Sequence, residues 1–164
     1  MSGQVIQINI SPGGLPKRPI LAGNITHAGV EGDSWAHPNI HGGPRQAVLL
    51  IASEVIDALK AKGYPVYPGA LGENLTTEGL DPLLWRAGQQ YRVGEAIIEL
   101  TKVRAPCNAL NVYGPAIKDE IYDSLVKAKD PSSPRWARSG FYAKVVRPGS
   151  IFPGNVISLL SELA

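Results

Sequence analysis

Cys107 is the only cysteine in the chain, and it stands in the run Arg104-Ala105-Pro106-Cys107-Asn108. A thiolate binds soft metals and attacks electrophiles, and a fixed cation three residues away favours that form over the neutral thiol. The run follows the apolar stretch Ala96 to Val103, so Pro106 takes the chain off a strand and leaves the sulfur at its end, a rigid mount. The competing reading makes Cys107 a small apolar packing residue.

Other residues able to do chemistry lie in glycine-rich turns. In Gly69-Ala70-Leu71-Gly72-Glu73-Asn74-Leu75, two glycines permit positive φ and close approach to a ligand, and Asn74 can both donate and accept. In His41-Gly42-Gly43-Pro44-Arg45, backbone donors stand beside an imidazole and a guanidinium, a combination suited to an oxyanion or phosphate. Lys17-Arg18, after Pro12-Gly13-Gly14, forms a further basic loop. The Gly69 to Leu75 stretch can equally be a tight turn and nothing more, and Lys17-Arg18 a solvated charge pair. His37 and His41 are four apart, but Pro38 and the glycine pair forbid the helix that would aim both rings at one zinc. Asp33, His37 and His41 remain as a loop-borne set that zinc or iron could use. No Gly-x-Ser-x-Gly, phosphate-loop or dinucleotide fingerprint occurs, so ATP and NAD chemistry have no support.

The elements that must hold these residues are mainly strands. Runs at Gln4 to Ile10, Ile20 to Ile25, Gln46 to Ala52, Gln90 to Val93, Ala96 to Val103, Phe141 to Val146 and Val156 to Leu160 are β-rich and punctuated by Gly and Pro. Their spacing predicts an antiparallel sheet curled toward a barrel, not a doubly wound parallel sheet. Two helices are predicted as lids: Glu54 to Lys62, capped by Ser53 and stopped by Gly63, and one opened by Pro115 with Ile117, Ile121 and Leu125 on one face. Lys127 to Ser139 reads as an exposed loop, with Trp136 and Arg138 as a pocket wall able to stack on a flat substrate.

Composition sets the outer limits. The 164 residues suit one domain, and 16 basic against 14 acidic side chains leave +2, too little for a nucleic-acid footprint or an anionic membrane surface. A lone cysteine excludes an internal disulfide and a multi-cysteine zinc site, which fits a reducing, cytoplasmic setting. The longest apolar run, Ala47 to Ala52, is far short of the ~20 residues that span a bilayer.

Five segments in order, Gly29-Val30-Glu31-Gly32-Asp33, His41-Gly42-Gly43-Pro44, Gly72-Glu73-Asn74-Leu75 with Gly79-Leu80, Arg104-Ala105-Pro106-Cys107, and Gly140 to Val145 leading to Pro148-Gly149, resemble the MOSC domain family, in particular its small stand-alone members. The resemblance covers most of the chain. It departs at Arg45-Gln46, where similar proteins commonly carry an acidic residue followed by Arg, and at Gly88-Gln89 and Gly154-Asn155, where many have Gly-Asp.

The resemblance implies a mostly antiparallel, β-barrel-like single domain over residues 1–164 with peripheral helices. It implies binding of the molybdenum cofactor (Mo-molybdopterin), with Cys107 as a thiolate ligand to the metal. Lys17, Gly42, Gly43, Arg45, Gly72, Glu73, Asn74 and Arg104 would then surround the pterin and its phosphate, and His41 or Asp33 would give the proton. The implied reaction is two-electron reductive cleavage of N–O in a small N-hydroxylated substrate, independent of pyridoxal phosphate. No side chain delivers two electrons reversibly and the chain has no flavin, haem or iron–sulfur ligand set, so a separate electron-donor protein is expected. An alternative is a non-catalytic carrier of the cofactor, or of sulfur, on Cys107; the oligomeric state is open.

Overall fold

The computed structural model describes residues 1–34 and 43–161. Among these, eleven strands and three short α-helices are arranged around one apolar core. The strands are β1 (Ser2–Ile10), β2 (Arg18–Ile20), β3 (Gly23–Thr26), β4 (Gly29–Val30), β5 (Val48–Ala52), β6 (Leu75–Glu78), β7 (Gln90–Val93), β8 (Ala96–Val103), β9 (Phe141–Arg147), β10 (Gly149–Ile151) and β11 (Val156–Ser161). The helices are α1 (Ser53–Ala61), α2 (Ile117–Ile121) and α3 (Ser124–Lys127).

Seven strands close on themselves in the order β11-β7-β8-β9-β5-β6-β1, and β1 returns to β11 with Ser2 opposite Ser158 and Gln4 opposite Val156. Closure satisfies the backbone donors and acceptors that an open sheet would present at its edges. β2 pairs on β1 outside the ring, and β10-β3-β4 form a small second sheet. The barrel is antiparallel except where β5 runs parallel to β6. β5 is buried at every position, as befits the continuous run VLLIA, and β6 delivers Leu75 beside Leu50.

The strand pattern of the sequence locates the long strands well and misses β6, whose Leu75 reads as the close of a turn. Ile20 to Ile25 is two strands rather than one, because Leu21 and Ala22 turn the chain between β2 and β3. Ser53 is the first residue of α1 and makes no capping bond to its backbone. The helix predicted after Pro115 is broken. Tyr122 is extended (φ −155°), and the Asp123 carboxylate accepts from the Val126 N–H to start α3 in a new phase. Val126 is therefore buried, while Leu125 points outward.

A larger correction concerns Lys127 to Ser139. Residues 127–129, 131, 132 and 134 are exposed as expected, but Ser133, Trp136, Ala137 and Ser139 are buried, so the second half of the segment is not a solvated loop. The Trp136 indole N–H donates to the Trp85 carbonyl at 2.8 Å, its ring meets Phe141 edge-on at 6.2 Å, and the Arg86 guanidinium lies over it at 5.6 Å. With its N–H and ring surfaces engaged inside the protein, Trp136 packs the core and is not a stacking platform for substrate. Arg138 is half-buried next to it, with its Nε sealed and unpartnered. Burial first, and then the neighbouring Arg135 charge, lower its guanidinium from the ordinary range.

Candidate functional site

Three segments converge beside the barrel wall: the chain leaving β1 (residues 11–17), the turn before β6 (69–74) and the chain leaving β8 (104–113). Gly69 ties the first two, because its carbonyl accepts from the Lys17 N–H at 2.8 Å. That approach requires glycine. A Cβ there would collide with the Lys17 carbonyl, and φ is +94°. Gly72 (φ +89°) links the second and third segments, since a Cβ at this position would lie 3.7 Å from both Arg104 Nη2 and Leu15.

On the first side of the site, Lys17 and Asp33 form a buried ion pair at 2.7 Å, with side chains only 6% and 3% exposed. Asp33 Oδ1 also accepts from the Ser11 N–H at 2.9 Å, and Oδ2 accepts from Asn74 Nδ2 at 2.8 Å. Both Asp33 oxygens thus accept hydrogen bonds from groups inside the protein, and the side chain is turned away from solvent. The proton-donor role expected for Asp33 is corrected to a positioning one. Asn74 is equally committed: Nδ2 also donates to the Asn9 carbonyl at 3.2 Å, and Oδ1 accepts from the Leu49 N–H at 3.0 Å. At 2% exposed it joins β1 and β5 and does not offer its amide to a cofactor.

Glu73 is fully buried. Its Oε2 accepts from the Gly69 N–H at 2.9 Å and from the Thr76 hydroxyl at 2.8 Å, while Oε1 is sealed without a partner. It organises the turn from beneath, and its expected direct contact with cofactor is corrected accordingly. Burial pushes its carboxyl above the ordinary range, against the opposing pull of the Gly69 N–H, the Thr76 hydroxyl and the Arg104 charge.

This shift makes stability depend on pH. Above the ordinary carboxylate value of 4.5 the unfolded chain has lost the Glu73 proton while the fold still holds it, so stability falls as pH rises through that window. Glu73→Gln keeps an acceptor for Gly69 and Thr76 and removes the titration. Urea unfolding across a pH series should show a shallower decline for the variant than for wild type. Parallel slopes would contradict this assignment.

On the second side, Cys107 is a free thiol, half-buried, immediately before the 3-10 turn Asn108–Tyr113. Arg104 is 6% exposed. Its N–H donates to the Gly140 carbonyl, its carbonyl accepts from the Ser139 hydroxyl at 2.6 Å, and Nη1 donates to the Ser139 carbonyl at 3.3 Å. Its charge acts on Glu73 without closing to ion-pair distance, and no carboxylate among the described residues pairs with it. Tyr142 on β9 lies against both groups. Burial raises its phenol, with Arg104 pulling down and Cys107 pushing up.

Tyr113, which sequence reasoning does not single out, donates to the Ala70 carbonyl at 2.6 Å and is hydrogen-bonded to Tyr67. Burial, the Tyr67 hydroxyl and the Glu73 carboxylate push its phenol up to about 12. Neither tyrosine has a sequence signal that sets it apart from an ordinary turn aromatic. Gly43 and Arg45 are exposed in and before a 3-10 turn at Pro44–Gln46. Arg45 faces Glu99 on β8; burial works against that carboxyl ionising, yet Gln90, Lys144 and Arg45 hold it below the usual range. His37, His41 and Gly42 lie outside the described residues, so their expected roles are not placed. Among the described residues no cluster of three or more His, Cys, Asp or Glu could hold a metal, and no helix is long and apolar enough to cross a membrane.

A closed, mainly antiparallel barrel defines a small β-barrel domain, with one free, partly buried cysteine on the chain leaving β8. Residues 37–158 match the MOSC domain family, and the chain belongs to it. It is 30% identical to the uncharacterized protein YflK of Bacillus subtilis over 151 residues, covering 91% of this chain, and 30% identical to protein YiiM of Escherichia coli over 146 residues, covering 85%. It spans 64% and 60% of those proteins, less than two thirds of their length. A Gibberella moniliformis protein described as a reductase is 29% identical over 91% of this chain, which spans 28% of that protein. Among solved structures, YiiM of Geobacillus stearothermophilus superimposes with a TM-score of 0.71 at 23% identity, over 97% of this chain and 75% of that one, and shares the fold. The MOSC domain is associated in general with molybdenum-cofactor binding.

Proposed function

We propose that this protein binds the molybdenum cofactor at Cys107 and Arg104 and reduces small N-hydroxylated compounds to the parent amines. The observation that carries the reading is a partly buried free cysteine three residues after a buried guanidinium that has no carboxylate partner among the described residues. A soft donor suits a dithiolene-bound metal, and a buried cation lacking a counter-ion is satisfied by an anionic ligand. The residues fit the group in a second respect. The space over Gly72, which a side chain would fill, is bordered by Leu15 and Arg104.

When bound, the cofactor supplies the two electrons that N–O cleavage consumes together with two protons, the products being amine and water. Cys107 would hold the metal, and Arg104 would steady the anionic part of the ligand. Lys17, fixed by Asp33, sets the loop that carries Leu15 against Gly72. His41 is the remaining proposed proton donor. Electrons would come from a separate protein. Arg45 and the Gly42-Gly43 amides are proposed for the phosphate.

The test is expression in a host competent for the cofactor, elemental analysis for Mo and phosphorus, and turnover of benzamidoxime with a reduced dye. Near-stoichiometric Mo with turnover is expected. Bound cofactor without turnover above background would instead make the protein a carrier, and absence of Mo would overturn both roles.

A further inference from the structure

The outer face of β7, β8 and β9 carries three rows of side chains. Arg92 on β7 and Arg147 on β9 stand opposite Ile97 of β8 from its two sides, and both are exposed. In the next row Gln90 and Lys144 flank Glu99, whose carboxylate accepts from Gln90 at 3.0 Å and pairs with Lys144 at 3.3 Å. After a β-bulge between Leu100 and Lys102, Lys102 stands opposite Tyr142, with its ammonium 6.0 Å from the centre of that ring. Arg45 adds a fifth cation: its carbonyl accepts from the Thr101 hydroxyl, and its charge acts on Glu99.

Side chains opposite one another on neighbouring strands share a face, as do alternate positions along one strand, so these rows are contiguous. Arg45, Arg92, Lys102, Lys144 and Arg147 thus meet Glu99 and, at the β7–β8 turn, Glu95, whose carbonyl accepts from Arg147. The far side of the barrel has the opposite sign. β6 is three places from β8 around the ring, and there Glu54 and Asp57 on α1 and Glu78 on β6 are exposed beside Lys60, with Glu54 accepting from the Gly79 N–H. The net charge of +2 therefore hides a separation of charge that orients the molecule in the field of an approaching protein. The cationic face also runs into the thiol site, because Tyr142, two positions from Lys144 on β9, lies against Arg104 and Cys107.

We propose that the outer face of β7, β8 and β9 docks an acidic electron-carrier protein, which passes its electrons in at the Tyr142 end, beside Cys107. The inference rests on the reductase reading: the carrier is oxidised by the two electrons that N–O cleavage consumes with two protons. Opposite charge steers such an encounter and fixes its orientation, and it does so less as salt rises.

Binding is measured by titrating the full chain with flavodoxin, an acidic flavin protein, at about 0.01 M and about 1 M salt, where the screening length is roughly 30 Å and 3 Å. Wild type should bind saturably at low salt and at least about tenfold more weakly at high salt. Arg92→Glu combined with Arg147→Glu should weaken low-salt binding at least about tenfold, and Arg92→Gln combined with Arg147→Gln should weaken it less. Lys60→Glu combined with Lys127→Glu makes the same change in net charge at exposed positions off this face, and should bind within about twofold of wild type. In the loaded protein, benzamidoxime turnover driven by reduced flavodoxin should fall with the Arg92 and Arg147 reversal while dye-driven turnover stays unchanged. Absence of saturable binding, or a reversal that binds no worse than the Lys60 and Lys127 control, overturns the docking face. Low-salt self-association that the reversal abolishes would assign the face to a second copy, and tighter binding of a DNA duplex than of flavodoxin would assign it to nucleic acid; either overturns the proposal. The stated binding pattern in protein that reduces nothing upholds the face and counts against the reductase alone.

Discussion

Replacing Asn74 with alanine should destabilise the protein by about 3–5 kcal/mol, since three buried groups lose their partner together and each such orphan costs about 1–3 kcal/mol. The Leu49 N–H, the Asn9 carbonyl and Asp33 Oδ2 all depend on this one amide. The loss is not local. Asn74 links β1 to β5 where the site's turn ends, and Asp33 in turn steadies Lys17. Asn74→Asp should be at least as damaging although its shape is nearly the same, because it sets a carboxylate against Asp33 Oδ2. Urea unfolding with tryptophan fluorescence measures both, and a loss under about 1 kcal/mol for the alanine variant would mean that Asn74 does not tie the two strands together.

Cys107→Ala should reduce retained molybdenum to background and lower dye-linked turnover by at least on the order of 100-fold, the upper end of what even an outer-shell partner of a metal is worth. Its folding should be nearly unaffected. Cys107 is partly exposed and its side chain makes no capping bond to the turn that follows, so removing the thiol opens no sealed cavity. This contrast separates the two readings of Cys107. Elemental analysis and thermal unfolding run on the same sample give the answer: retained metal with lowered stability would make Cys107 a packing residue.

The barrel is legible in the sequence because its long strands carry their own signal. The stretch from Ala96 to Val103 is apolar and β-branched enough to be read in isolation, and β8 spans those same residues. β6 is not legible, since Leu75–Glu78 becomes a strand only by lying between β1 and β5, two partners distant in sequence. The site shows the same division. Glycine spacing marks Gly69 to Asn74 as a special turn, and it is one, but whether Glu73 and Asn74 face a ligand or face inward depends on Asn9, Leu49 and Thr76. Trp136 misleads for a related reason. Its neighbours Pro, Ser and Arg are those of a solvated loop, whereas the carbonyl that receives its N–H belongs to Trp85, 51 positions earlier.

Pairing of β1 with β11 places Ser2 across from Ser158, so the ring cannot shut until two stretches more than 150 positions apart have met. Contacts of such long range are slow to form, and both partners wait meanwhile with raw hydrogen-bonding flanks that another molecule can occupy. Overproduction should accordingly be governed by how quickly this seam zips, with gentle synthesis rates and low temperature favouring native closure over sticky, half-wrapped species.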